Sequence, residues 1–149
     1  MEIQLRQATI DDIPAIHELV RELAIYEKEE AEFVATIEEY KTDFAAGIFE
    51  AIVAETSSDG VIGMSLFYMT YSTWKGRMLY LEDFVVKAAF RKKGVGQMLF
   101  DAFLETAKSK KCKLAKWQVL DWNEPALAFY RKIGATIEQN WWNGKLFLD

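Results

Sequence analysis

One cysteine, one histidine and two prolines are all that the 149 residues hold of the types that staple, ligate or break a chain. Cys112 alone forms no intramolecular disulfide, and Cys112 with His17 is too small a donor set for a metal, so none is expected. His17 has no Ser or Cys companion to complete a triad and reads as a packing or surface residue. No run of about 18 apolar residues is present, which excludes a membrane-spanning helix. The opening Met1-Glu2-Ile3-Gln4 lacks the basic start and apolar stretch of a secretion signal, so a soluble, cytoplasmic protein is expected. Positive charge is not in surplus either: 18 Lys and Arg stand against 23 Asp and Glu, a net −5. That balance argues against nucleic-acid binding, which needs an excess of cations for the phosphate backbone. Two nucleotide motifs are also missing. There is no G-x-x-x-x-G-K-[ST], and Gly94-x-Gly96 is followed by Leu99 where G-x-G-x-x-G needs a third glycine, which demotes ATP and NAD.

What is present is a chain of one-domain size, 51% hydrophobic, able to bury a single core over residues 1–149. Its charges are uneven. Arg91-Lys92-Lys93 and the segment Lys108 to Lys116 are basic, whereas Glu27 to Glu39 is acidic. Two sites of opposite sign on one small molecule are expected.

Ile3 and Leu5 alternate with polar neighbours as in a strand, and Thr9 with Asp12 resembles a capping box opening a helix. Ile13, Ile16, Leu19, Val20, Leu23 and Ala24 recur at helical spacing, with Pro14 in the first turn. A second, acidic helix is expected over Glu32 to Phe44, ending at Gly47. Ile52 and Val53, the turn Ser57-Ser58-Asp59-Gly60 and the branched and aromatic run Val61 to Tyr71 read as a β-hairpin. Met78 to Val86 reads as a further, largely buried strand. Val95, Met98, Leu99, Ala102, Phe103 and Thr106 then share one helix face. Lys113 to Leu120 returns to strand, and Asn123 with Pro125 starts a helix ended by Gly134. Ala135 to Trp142 and Lys145 to Leu148 read as two strands around Asn143-Gly144. The sum is an α/β fold with a mixed sheet covered by helices.

Arg91-Lys92-Lys93-Gly94-Val95-Gly96 lies between a strand and a helix. A helix N-terminus already carries about half a positive charge, so three cations there are locally unfavourable. A bound anion in the turn removes the conflict, with Gly94 and Gly96 letting backbone N–H groups approach its oxygens. A diphosphate fits. The plainer alternative is a solvated basic turn with glycines serving only the chain reversal.

Leu79-Tyr80-Leu81-Glu82-Asp83-Phe84-Val85-Val86 sets two carboxylates inside an apolar strand, where lone charges are costly. Strand alternation sends Glu82 and Asp83 to opposite faces, so separate roles are expected: one takes a proton, the other holds charge. The alternative is a groove or edge that solvates both. Tyr130 shares a helical face with Ala126, Phe129 and Ile133 and by pattern is a core tyrosine whose hydroxyl needs a partner. Trp141 and Trp142 either line a site or a dimer contact or, by default, fill the sheet core.

Taken together, Arg91-x-x-Gly94-x-Gly96, Arg6-x-Ala8-Thr9, Glu22-Leu23-Ala24-x-Tyr26-Glu27, Tyr71-x-x-Trp74, Leu79-Tyr80-Leu81-Glu82-Asp83-Phe84-x-Val86, Trp122-Asn123-Glu124-Pro125 and Phe129-Tyr130 resemble the GCN5-related N-acetyltransferase (GNAT) superfamily. Within it they resemble the diamine acetyltransferase group, which includes spermidine/spermine and thialysine acetyltransferases. The resemblance spans almost the whole chain. It implies a twisted, mostly antiparallel sheet of about six or seven strands flanked by about four helices, acetyl-CoA as cosubstrate, a small-molecule amine acceptor and a homodimer. By position it implies that Phe84, Val85 and Val86 pair with the pantetheine arm and that amides from Lys92 through Lys93, Gly94 and Val95 to Gly96 hold the pyrophosphate beside Arg91. Asn123 would contact the coenzyme arm, and Arg131 or Lys132 its adenosine phosphate. Tyr130 would protonate the departing thiolate and also touch the coenzyme. Glu82 would accept the amine proton, while Asp83, Glu27, Tyr26 and Trp74 would shape a cation-binding acceptor site. Trp141 and Trp142 stand where polyamine enzymes of this group carry acids. The acceptor is therefore open among a diamine, a polyamine and a lysine-like amino acid. A non-catalytic coenzyme A binding or sensing module is the competing reading.

Overall fold

A computed structural model describes residues 2–148 and divides after Gln118 into two units. The first unit is built on a five-stranded sheet in the order β1 (Gln4–Gln7), β2 (Glu50–Thr56), β3 (Gly60–Ser72), β4 (Gly76–Val86) and β5 (Leu114–Trp117). The first four strands run antiparallel to their neighbours, and β5 lies parallel to β4. Three helices belong to this unit: α1 (Ile13–Tyr26), α2 (Ile37–Ala45) and α3 (Val95–Ser109).

The first two helices begin where the sequence offers a cap. The Thr9 backbone N–H donates to Asp12 at 2.7 Å, and Arg6 from β1 donates to both Asp12 oxygens at 2.7 and 2.8 Å and to both Glu55 oxygens of β2 at 3.0 and 3.1 Å. One guanidinium thus ties two strands to the entry of α1. The acidic helix starts later than its composition implies: α2 opens after Thr36, whose hydroxyl accepts from the Glu39 N–H at 3.1 Å, and of residues 30–36 only Glu30–Glu32 form a short 3-10 turn. Thr36-x-x-Glu39 is a capping box, and that local bond outweighs general helix propensity for the boundary.

The two sheet faces have separate cores. Ile13, Ile16 and Leu19 of α1 pack with Ala51, Val53, Met64, Leu66 and Val85. On the other face α3 brings Phe103 against Phe67 at 5.8 Å and Phe100 against Phe84 at 5.8 Å, and the buried Ser65 hydroxyl donates to the Leu99 carbonyl at 3.0 Å. Phe67, Phe100 and Phe103 are all but fully buried, each contributing roughly 1.5–3 kcal/mol relative to exposure.

The second unit, residues 119–148, contains α4 (Glu124–Lys132), capped at its start by the Asn123 side chain and closed by Gly134 in the left-handed region at φ +89°. Among the described residues the sheet has five strands rather than six or seven. The difference lies at the C-terminus, where the two strands expected around Asn143-Gly144 do not form, and Trp142, Leu146, Phe147 and Leu148 are exposed. Alternation and an Asn-Gly turn are local signals. A two-stranded hairpin is marginal in water unless a third strand or a packing face supports it. Trp141 and Trp142 accordingly do not fill a sheet core.

Candidate active site

The ladder between β3 and β4 slips by one residue: Leu66 pairs with Asp83, but Phe67 pairs with Leu81. Glu82 is therefore the extra residue of a β-bulge. Up to Leu81, which pairs with Phe67 of the α3-facing core, odd positions of β4 face α3; beyond the bulge it is even-numbered Phe84 that meets Phe100, while Val85 joins the α1 core. The phase of side chains reverses between Glu82 and Asp83, and both carboxylates lie on the α1 face. This corrects the expectation of opposite faces. Period-2 alternation holds only for an unbroken ladder, and a bulge re-aims the side chains beyond it.

Glu27, at the C-terminal end of α1, is the third acid of this cluster. Burial, then Glu29, then Glu82 push its carboxyl up. Asp83 is pushed up to about 7 by burial first, then by Glu82 and Glu27. Like charges sharing a partly desolvated site favour retention of a proton. The negative end of the α1 dipole adds to the conflict, since acids are unfavourable at a helix C-terminus. Aromatic hydroxyls surround the acids. Tyr68 of β3 donates to Glu82 Oε1 at 2.6 Å and stacks on Tyr80 at 5.5 Å. Tyr40 of α2 is pushed up to about 12 by burial, then by Asp83 and Glu82. Tyr40 and Tyr68 carry no sequence signal of their own; only the register, which the bulge sets, makes Tyr68 a neighbour of Glu82.

The basic turn enters α3 through two left-handed residues, Lys92 at φ +62° and Gly94 at φ +83°. At Gly94 an added Cβ meets nothing within 4 Å, and at Gly96 it meets only the Phe84 ring at an ordinary 3.5 Å. Packing does not demand either glycine. The backbone conformation demands Gly94, and the first N–H groups of α3, by helix geometry, have no partner within the helix. A phosphate group fits this cradle. The Arg91 side chain turns back instead: its Nε donates to the Val86 carbonyl at 3.1 Å, and its guanidinium lies 5.5 Å from the Tyr26 ring centre. Arg91 and Tyr26 thereby flank a groove of about 360 Å³ that also includes Glu22, Val85 and Val86. The β4–β5 ladder ends at Leu81 with Trp117, so the β5-side edge of residues 82–86 runs outside that ladder.

The structure thus gathers Glu27, Glu82 and Asp83 in one cluster, and Tyr26, Val85, Val86 and Arg91 around one groove. It does not bring Trp74 to either. Trp74 sits on the β3–β4 turn, 84% exposed. In the second unit, Asn123 is buried and its side-chain oxygen accepts from the Ala126 N–H at 3.4 Å, while Tyr130 is 6% exposed with its ring 5.6 Å from Phe129. A larger groove of about 590 Å³ lies between the end of α2, the start of β2 and the last turns of α3. It includes the Glu50–Lys110 ion pair at 3.1 Å and none of the residues to which the sequence assigns a catalytic, coenzyme or acceptor role.

A family model described as "Acetyltransferase (GNAT) family" matches residues 13–135. Thialysine N-epsilon-acetyltransferase of Bos taurus is 37% identical over 142 residues, covering 89% of this chain and 84% of that protein. Spermidine/spermine N(1)-acetyltransferase-like protein 1 of Homo sapiens is 28% identical, covering 93% of this chain and 21% of that longer protein. Among solved structures, an aminoglycoside acetyltransferase from an uncultured soil metagenomic sample superposes with a TM-score of 0.80 at 18% identity, over 99% of this chain and 97% of that one. At that identity the match speaks for the fold alone.

Proposed function

Since the chain belongs to the acetyltransferase (GNAT) family, we propose that it moves an acetyl group from acetyl-CoA to a primary amine of a small cationic acceptor by direct attack on the thioester. The acceptor is a diamine, a polyamine or a lysine-like amino acid, and residues 1–149 act as one N-acetyltransferase domain. The observation that carries this reading is the bulge at Glu82, which sets Glu82 and Asp83 on one face with Glu27. Three acids around the negative end of a helix form a site whose charge only a cation balances.

Each residue has its own task. Amides from Lys92 to Gly96 receive the pyrophosphate, and the β4 edge at Phe84, Val85 and Val86 receives the pantetheine arm. Acetyl-CoA supplies a thioester whose carbonyl carbon the amine nitrogen attacks. An alkyl ammonium with pKa about 10 must first lose a proton, which Glu82 accepts. Asp83 and Glu27 hold the cationic remainder of the acceptor, with Tyr26 at the groove. The developing oxyanion needs an N–H donor, which the β4 edge at Phe84 or Val85 provides. The C–S bond breaks as the C–N bond is completed, the sulfur takes the Tyr130 hydroxyl proton, the second proton shed by the nitrogen restores the Tyr130 hydroxyl, and Glu82 passes its proton to solvent, so the products are an amide and a free thiol. A homodimer and a cytoplasmic location complete the proposal.

The test is thiol release from acetyl-CoA over a panel of diamines, polyamines, lysine analogues and monoamines. Turnover confined to amines with a second positive charge is expected; silence across the panel would contradict the proposal.

A further inference from the structure

Glu82 is exposed, and as the extra residue of the bulge it has no residue of β3 opposite it. A long side chain in that position samples several rotamers unless something holds it, and a proton acceptor that samples several positions is a poor one. Tyr68 supplies the hold. It stands opposite Tyr80 in the ladder, their rings stack 5.5 Å apart with planes 25° from parallel, and the Tyr68 hydroxyl donates to Glu82 Oε1 at 2.6 Å. That length belongs to the charge-assisted class of hydrogen bond. The phenol stays a donor, because burial and the bond to Glu82 push its ionisation well above the usual tyrosine range.

We infer that Tyr68 is a positioning residue: its hydroxyl fixes Oε1 of Glu82, leaves Oε2 to face the acceptor amine, and is itself held in line by the Tyr80 ring. The inference rests on Glu82 as proton acceptor. The titratable groups around Glu82 are Glu27 from α1, Tyr40 from α2, Tyr68 from β3 and Tyr80 and Asp83 from β4. Of these, Tyr68 is seen to donate a hydrogen bond to it. Loss of that bond frees the carboxylate to sample other rotamers, so kcat falls while coenzyme binding does not.

The experiment compares kcat and KM of wild type, Tyr68→Phe, Glu82→Gln and the double variant, with thermal melts of each. Tyr68→Phe keeps the ring and the stack; Tyr80→Leu keeps apolar packing but removes the stack, and provides a second route should the first variant melt early. For Tyr68→Phe we expect a fall in kcat of about tenfold and an unchanged KM for acetyl-CoA. Tyr80→Leu should show a smaller change in the same direction. In the Glu82→Gln background Tyr68→Phe should add less than about twofold, as expected when one residue acts through the other. An unchanged kcat in Tyr68→Phe, or an undiminished effect of that change in the double variant, overturns the positioning role while leaving Glu82 in place. Full activity in Glu82→Gln overturns the proton-acceptor reading and the inference with it.

Discussion

Asp83 is where the cost of the acidic cluster is most legible. Its carboxyl, at about 7 against an ordinary value near 4, keeps a proton in the folded chain over a range where the unfolded chain has lost it. Below about pH 4 both states are protonated and the group is neutral to stability. Between about pH 4 and 7 only the unfolded state ionises, so stability falls as pH rises, and above about 7 the full penalty of a charged, largely desolvated carboxylate applies. Asp83→Asn is therefore expected to be more stable than wild type at about pH 8 by roughly 1 kcal/mol or more, with the gap closing near pH 4; urea unfolding at both pH values measures it. Activity should move the other way, because a site tuned to hold charge trades stability for function. Tyr130 presents the opposite case. Sequence pattern makes it a core residue, and the structure agrees that it is buried, so its proposed role rests on the family resemblance. Tyr130→Phe should lower kcat at least about a hundredfold while coenzyme affinity in a calorimetric titration stays within about threefold.

Among the elements, β4 decides the site, and it is the element whose detail the sequence conceals. Its existence and its end are readable from the apolar run Met78 to Val86, although the strand itself begins two residues earlier, at Gly76. Its bulge is not, because a slip of register alters no residue type and appears only when the partner strand is known. The same limit explains α2, whose start obeys a capping box rather than acidic composition, and the C-terminal segment, where a local hairpin signal lacks a packing face. The basic turn is legible because its signal is local: two glycines and three cations at a helix start conflict with the dipole wherever the rest of the chain lies. Gly63 tests the importance of the end of β4. A Cβ there would stand 2.9 Å from the Val85 carbonyl oxygen, 3.1 Å from Leu99 Cδ1 and 3.3 Å from the Val86 Cα. Gly63→Ala must push the β4 backbone and the Leu99 side chain away from β3, at a cost of roughly 1–3 kcal/mol. The expected result is a lowered melting temperature together with weaker acetyl-CoA binding, since Val85 and Val86 border the groove.

At the scale of the molecule, two helix ends stand in electrostatic conflict: cations crowd the positive start of α3 and acids the negative end of α1. On the proposed function each would be relieved by a ligand of opposite sign, a phosphate carrier at one and an amine at the other. The fold class, the family and the two charged regions are readable from sequence alone, whereas the meeting of Glu27, Glu82 and Asp83 requires the folded register. The most direct test is the ratio of kcat/KM for a diamine to that for a monoamine of equal chain length, measured at low salt. If the acidic cluster holds a second positive charge, the ratio is at least about tenfold in favour of the diamine and falls as salt is raised. Equal values for the two amines at every salt concentration would contradict it.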